Sequence, residues 1–364
     1  MKILYTALLL LAVKPASSQS TADSPRIFII TTDGFRWQEI FNGADSSILF
    51  NNDYVKDTST LQYLYWANTP EERRKRLMPF TWNFIVKKGQ IWGNRNYENE
   101  ISVANPWHFS YAGYNEMLTG YADWKVMTNK PKNNRNTNLL AYLNASPRYR
   151  NSVALFGSWK LFSYIVNGGP DKIPLNCGYQ SAEGDSLSVI EQTVNYLQQN
   201  SEENELPTRT DMLTFSLATE YINKKHPRVV YIGFGETDEF AHHGQYDNYL
   251  NQANMFDKFL ATLWNLVQSD DFYKNKTYFF ITTDHGRGRT AASWATHGPF
   301  TGGSDETWLM QLGPGIEPLG EVKTRSSIYT RQFAQTIANY LGETFTAKHP
   351  VAEPVYSLTH EGAK

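Results

Sequence analysis

Short apolar runs alternate along the chain with longer stretches whose apolar residues recur at three- and four-residue steps. The first kind reads as buried strands and the second as helices with one buried face. The strand pattern falls at Ile27 to Thr31, Gln90 to Gly93, Val153 to Phe156, Val229 to Phe234, Tyr278 to Thr282 and Thr307 to Leu312. The helical pattern falls at Thr81 to Lys88, Ser186 to Gln199, Met212 to Lys225, Asn248 to Gln268 and Ile328 to Leu341. In the stretch from Asn248, residues Leu250, Ala253, Phe256, Leu260, Leu263 and Val267 share one face. Alternation of this kind predicts an α/β chain, a three-layer α/β/α sandwich around a mainly parallel central sheet. Two regions, Asp45 to Glu72 and Asn129 to Asn138, read as long irregular loops, which in compact domains often wall a site. No repeat and no Pro/Gly-rich linker interrupts the pattern, so residues 21–364 are expected to form a single catalytic domain.

The polar residues that punctuate this pattern carry the chemistry. Arg26-Ile27-Phe28-Ile29-Ile30-Thr31-Thr32-Asp33-Gly34 is an apolar strand ending in a carboxylate, and Phe279 to Thr283 leads in the same way into Asp284-His285-Gly286. Asp238 and His242 stand four apart, a separation that places both on one side of a helical turn, and His297-Gly298 follows later. Each signal alone has a plain structural explanation: a surface pair, the start of a turn, an ordinary loop histidine. Together they put three Asp and three His at strand ends, an oxygen and nitrogen set that suits a pair of zinc-like ions. The segment Asn105 to Gly120 supplies a nucleophile, because Ser110 opens a helix-like stretch closed by Gly120. A serine there either lies among free backbone N–H groups at the positive end of the helix dipole or serves as an N-cap, and position alone leaves both open.

Composition narrows the class. With 364 residues, 41% of them hydrophobic, the chain can bury a full core. The 34 basic and 36 acidic residues leave no basic run that would coat a nucleic-acid duplex, and nothing in the pattern fixes an oligomeric state. Residues 1–20 combine Lys2, an apolar run from Ile3 to Val13 and small residues after Pro15, as a secretory signal peptide does. That run is too short to span a membrane, which takes roughly 20 residues. A periplasmic or secreted protein is expected. Cys177 is the single cysteine, read as a buried inert thiol.

The ordered set formed by Thr32-Asp33-Gly34, Ser110 ten positions before Gly120 in Leu118-Thr119-Gly120, Asp238-x-x-x-His242, Asp284-His285-Gly286 and His297-Gly298 resembles the alkaline phosphatase superfamily. Its spacing looks most like the nucleotide pyrophosphatase/phosphodiesterase branch. The resemblance implies an alkaline phosphatase-like fold holding two divalent metal ions, zinc before others. Asp238, His242 and His297 would hold one ion; Asp33, Asp284, His285 and the Ser110 oxygen would hold the other. It also implies a small phosphate-ester substrate and a phosphoseryl intermediate on Ser110. The chain departs from that branch in having Ser110-Tyr111-Ala112 where Thr with Phe-Pro is usual. Among Asn129, Asn133, Asn134 and Asn136, no single substrate-orienting asparagine stands out. A sulfatase is disfavoured, since Ser110 is not followed by x-Pro-x-Arg. A metal-stabilised binding protein without turnover is the reading from another class.

Several residues carry weaker expectations. His243 should point away from the ions, and Arg287 and Arg289 either meet an anionic substrate or are solvated. Glu236, Asp247 and Asp305 are candidate acceptors for the ligating imidazoles. Trp92, Trp107, Trp159 and Trp294 either wall a pocket or pack in the core.

Overall fold

The computed structural model describes residues 24–167, 173–201 and 208–358, and the apolar opening run read as a signal peptide lies outside them. Eleven strands form among those residues: β1 Arg26–Thr32, β2 Gly89–Trp92, β3 Asn99–Ser102, β4 Val153–Gly157, β5 Leu175–Cys177, β6 Val229–Phe234, β7 Thr277–Thr282, β8 Glu306–Thr307, β9 Leu309–Leu312, β10 Gly320–Glu321 and β11 Ser326–Tyr329. Eight of them make one sheet in the order β10-β2-β9-β7-β1-β6-β4-β5, and β11-β3-β8 make a second. Strand β1 runs parallel to both β6 and β7, while β9 is antiparallel to β7 and β2. The sheet is therefore mainly parallel with one reversed strand.

Strand β1 shows why the fold has three layers. All seven of its residues are buried. Phe28 and Ile30 enter one apolar core and Ile27 and Ile29 the other, as a strand covered on both faces requires. The helix Tyr246–Ser269 packs Leu250, Ala253, Phe256, Leu260, Leu263 and Val267 into the first core. The helix Ser110–Thr119 closes the second with Tyr111, Tyr114, Met117 and Leu118. No helix of the described residues is long and apolar enough to cross a membrane.

Three expectations are corrected. The segment from 45 to 72 is no loop: it holds helices Ser46–Leu49 and Thr58–Tyr65 and the start of Pro70–Leu77, with Asp45, Asp57 and Thr69 as side-chain N-caps. The run Thr307 to Leu312 breaks at Trp308, with Thr307 in the small sheet and Leu309 in the large one. The helical pattern from Ile328 starts late, because Ile328 pairs with Ile101 in the small sheet and the α-helix is Phe333–Tyr340. Residues 129–138 are irregular as expected.

The Ser110–Thr119 helix presses its backbone onto the end of β7. A Cβ at Gly113 would come within 2.4 Å of the Asp284 carbonyl oxygen. Gly113→Ala is expected to lower stability by about 1–3 kcal/mol, as overpacking does, outweighing the ~1 kcal/mol that alanine offers in a helix. Denaturant unfolding of the two proteins measures it. A stabilised variant would show that helix and strand end are not pressed together.

Candidate metal centre and nucleophile

The carboxyl ends of β1, β6 and β7 lie side by side in the sheet and place their following residues in one cleft, where open α/β sheets bind ligands. Asp33 follows β1, Asp238 lies in the helix Glu236–His242 just after β6, and Asp284 and His285 follow β7. Gly34 takes φ +56°, and a Cβ there would meet Asp238 Oδ1 at 2.5 Å, so the strand end can turn under the site only with glycine.

Ser110 is the first residue of its helix, and the N-cap position belongs to Phe109, which makes no side-chain cap. The buried Ser110 hydroxyl points away from its own helix, 3.3 Å from Asp33 Oδ1 and 3.2 Å from His285 Nε2. The N-cap alternative thus finds no bond here. The Tyr111 N–H at the helix start is taken by Asn129 Oδ1 at 3.0 Å. The loop before Ser110 is fixed from below by Glu116, which is fully buried. Its carboxylate accepts from Ala104 N and from Asn105 N and Nδ2, and also from Thr330 Oγ1. Asn105 Oδ1 in turn accepts from the N–H groups of Trp107 and His108.

Two groups of potential metal ligands converge, Asp238 with His242 and His297, and Asp33 with Asp238 and His285; Asp238 belongs to both. His242 Nε2 lies 3.1 Å from Asp238 Oδ2 and 3.1 Å from His297 Nε2. His285 Nε2 lies 3.4 Å from Asp33 Oδ1 and 3.4 Å from Asp284 Oδ2. Asp284 falls outside both groups, yet its Oδ1 accepts from Gly34 N at 3.1 Å and its buried Oδ2 has no hydrogen-bond partner. An orphaned carboxylate oxygen in a dry site costs free energy unless a cation or proton meets it.

Backbone carbonyls set the tautomer of two of the three imidazoles. His285 Nδ1 donates to Gly286 O at 2.9 Å and His297 Nδ1 to His108 O at 2.8 Å, leaving both Nε2 lone pairs free to bind an ion. Backbone carbonyls do this work, and not Glu236, Asp247 or Asp305. Glu236 is engaged with Asp211 N. His243 turns away and donates to Glu239 O. Burial and the charge of Asp238 push the Asp33 carboxyl well above its ordinary range, and burial with Asp33 does the same to Asp284. Burial and then His285 hold the His297 imidazole well below its ordinary value. Burial raises Asp238 too, but the Arg287 guanidinium overrides it and keeps that carboxyl well below the usual range. These residues fit a pair of divalent cations, with buried carboxylates that repel one another and imidazole nitrogens left unprotonated.

A cavity of about 480 Å³ opens over Ser110, Asp33 and Asp238, walled by Asn129, Pro131, Trp159, Lys160 and Glu239 among others. Of the four asparagine candidates only Asn129 reaches it. Asn134 and Asn136 are buried and spent on Asn115 and neighbouring groups. Trp159 is the pocket tryptophan; Trp92 and Trp294 pack in the core and Trp107 donates to Trp124 O. Arg289 pairs with Glu306 at 2.7 Å while staying more than half exposed, as the solvated reading expected, and Arg287 is buried against Asp238, away from solvent and cavity. Two site residues gave no signal in the motifs: Tyr114, whose hydroxyl donates to Asp33 Oδ2 at 3.1 Å, and Glu116. Tyr114 stands four residues after Ser110, the helical spacing that would have revealed it.

The family model of the metalloenzyme superfamily matches residues 187–299, a span that contains Asp238, His242, Asp284, His285 and His297. Among solved structures, wild-type alkaline phosphatase PafA superposes with TM-score 0.60 at 10% identity, over 92% of this chain and 99% of that one. The phosphonate monoester hydrolase of Agrobacterium radiobacter gives TM-score 0.58 at 12% identity, over 93% of this chain and 78% of that one. A 2-O GAG sulfatase gives TM-score 0.58 at 12% identity, over 94% and 75%. No curated protein sequence is significantly similar to the chain. Over residues 187–299 the chain is similar to the metalloenzyme superfamily, and the whole is an α/β protein. More particularly, the fold is that of the alkaline phosphatase superfamily, as the motif order implied, with neighbours that include phosphatases, a phosphonate hydrolase and sulfatases.

Proposed function

We propose that the chain is an exported hydrolase of phosphoric esters that uses two zinc ions and a phosphoseryl intermediate on Ser110. The observation that carries this is the Ser110 hydroxyl, buried and aimed between Asp33 and His285 at the floor of the cavity. Divalent ions held by Asp33, Asp284 and His285 and by Asp238, His242 and His297 would lower the barrier by stabilising negative charge on the attacking and leaving oxygens. Ser110 Oγ forms the new bond to phosphorus while the bond to the leaving alcohol breaks, and its proton passes to solvent or to the departing oxygen. Water then cleaves the seryl phosphate and restores Ser110. Tyr114 holds Asp33 in place, and Glu116 with Asn105 holds the loop that delivers the serine. Asn129 uses Oδ1 on Tyr111, so its Nδ2 remains to donate to a phosphoryl oxygen. The serine lacks the x-Pro-x-Arg that a formylglycine precursor requires, which favours phosphate over sulfate esters. The spacing of the motifs favours the phosphodiesterase-like branch.

Parallel assays of the zinc-loaded protein with aryl phosphate monoesters, diesters and sulfate esters test the reading. Phosphate-ester turnover is expected. Sulfate-ester turnover alone would replace it with a sulfatase, and no turnover with any ester would leave a binding protein. In the same assay Asn129→Ala is expected to lower kcat/KM about 10–100-fold, the effect of losing one hydrogen bond of roughly 1.5–3 kcal/mol to a charged group. An unchanged kcat/KM would remove Asn129 from the substrate's contacts.

A further inference from the structure

Arg287 comes two residues after His285, and its side chain is fully buried beside the outer ligand group of Asp238, His242 and His297. Every nitrogen of its fork is engaged. Nη1 donates to Asp238 Oδ1, Nε donates to Trp294 O at 2.9 Å, and Nη2 donates to Ala295 O at 2.5 Å. Nη2 also faces His242 Nδ1 at 3.4 Å. One guanidinium therefore ties together the helix carrying Asp238 and His242, the turn carrying Asp284 and His285, and the segment leading to His297. The outer ligands are assembled by this contact whether or not an ion is present.

The same contact has an electrostatic consequence. A guanidinium does not lose its proton in proteins, so its charge is permanent. The oxygen it holds, Asp238 Oδ1, is the one that His297 Nε2 faces at 3.8 Å, which leaves Oδ2 beside His242 Nε2 as the free oxygen. An ion at the outer group would share its only carboxylate with a fixed positive charge a few ångströms away. The guanidinium also acts on Asp33 among the inner residues, but there it comes after burial, Asp238 and the Tyr114 hydroxyl, and the charges that weigh most on Asp284 are Asp33 and His285. We propose that Arg287 is an internal cation that preassembles the outer metal site while weakening it, so that the outer ion is the exchangeable one and the inner ion is held tightly. This rests on the two-ion reading of the centre and on nothing about the ester hydrolysed.

Titration of the chelator-stripped protein with zinc alone, followed with a competing chromophoric chelator, tests it. The wild-type protein is expected to bind in two steps whose affinities differ at least tenfold. In Arg287→Gln, which can still donate to one carbonyl, the weaker step is expected to tighten at least tenfold while the tighter step stays unchanged. Arg287→Lys, which keeps the charge, should leave the steps as far apart as in the wild type. A purely structural role for Arg287 predicts the reverse, a weaker outer step in the glutamine variant, and that result or an unchanged step would overturn the proposal. Should the glutamine variant not fold, two equal steps in the wild-type protein would overturn it alone. Absence of any zinc binding would instead sink the two-ion reading itself.

Discussion

Replacing Ser110 by alanine is expected to reduce phosphate-ester turnover by three orders of magnitude or more while the protein stays folded. The reason is geometric. Ser110 Oγ, the nucleophile of the proposed reaction, lies between Asp33 Oδ1 and His285 Nε2, and the substitution removes it without touching either partner. Alanine at the first position of the Ser110–Thr119 helix costs little, since the serine side chain caps nothing there and Phe109 holds the N-cap position. Most zinc binding should survive, because the carboxylates and imidazoles remain. Residual catalysis from ion-polarised substrate and bound water sets a floor under the rate, as in other enzymes stripped of a nucleophile, so the loss is expected to stop at a finite value of about 10³-fold or somewhat more. Circular dichroism, zinc content and steady-state rate, measured on one preparation, decide it. Near-normal turnover in a folded, zinc-loaded Ser110→Ala protein would mean that water attacks the ester directly and that no seryl phosphate forms.

How far the sequence carried these assignments follows from which forces each element depends on. Strands β1, β6 and β7 were legible because they are covered on both faces, and such strands must be apolar throughout. Strand β11 was not: of Ser326 to Tyr329 only Ile328 is buried, so its pairing with β3 is written in backbone hydrogen bonds and not in side chains. The helices between 46 and 77 left a signal in Asp45, Asp57 and the Thr69-Pro70 start, but their exposed faces dilute the apolar period. At the site, residues adjacent in sequence to strand ends were found by that adjacency. Asn129 could not be separated from Asn134 and Asn136 because the difference lies in where one loop folds: two of the amides are consumed by Asn115 and one reaches Tyr111. Arg287 was expected to meet substrate or solvent, since a positive charge gives no hint along the chain that it will be buried against a ligand carboxylate.

Zinc binding is expected to release protons at mildly acidic pH, and zinc-limited activity is expected to fall steeply there. In the metal-free fold, burial and the neighbouring carboxylates hold the Asp33 and Asp284 carboxyls well above their ordinary range. A raised carboxyl binds a proton in the folded state at a pH where the unfolded chain has already lost it. These two groups therefore favour the metal-free fold below that window, and the advantage is lost as pH rises through it. His297 has the opposite sign. Its imidazole is held low, so between its ordinary value and its folded one the unfolded chain takes up a proton that the fold refuses, and stability falls as pH falls. An incoming cation needs all three groups unprotonated, so it displaces protons from the two carboxyls and none from His297. Each displaced proton makes apparent affinity fall about tenfold per pH unit, so two protons give up to about a hundredfold. Calorimetric titration with zinc at about pH 6, in buffers of different ionisation enthalpy, counts the protons released. With excess zinc the acid limb of the rate profile should follow the protons that compete with the ion at Asp33 and Asp284, and activity unchanged down to the ordinary carboxylate range would contradict their ligation. Zinc uptake with no proton release would mean that Asp33 and Asp284 are already ionised in the empty site, and that a fixed charge other than a proton balances them.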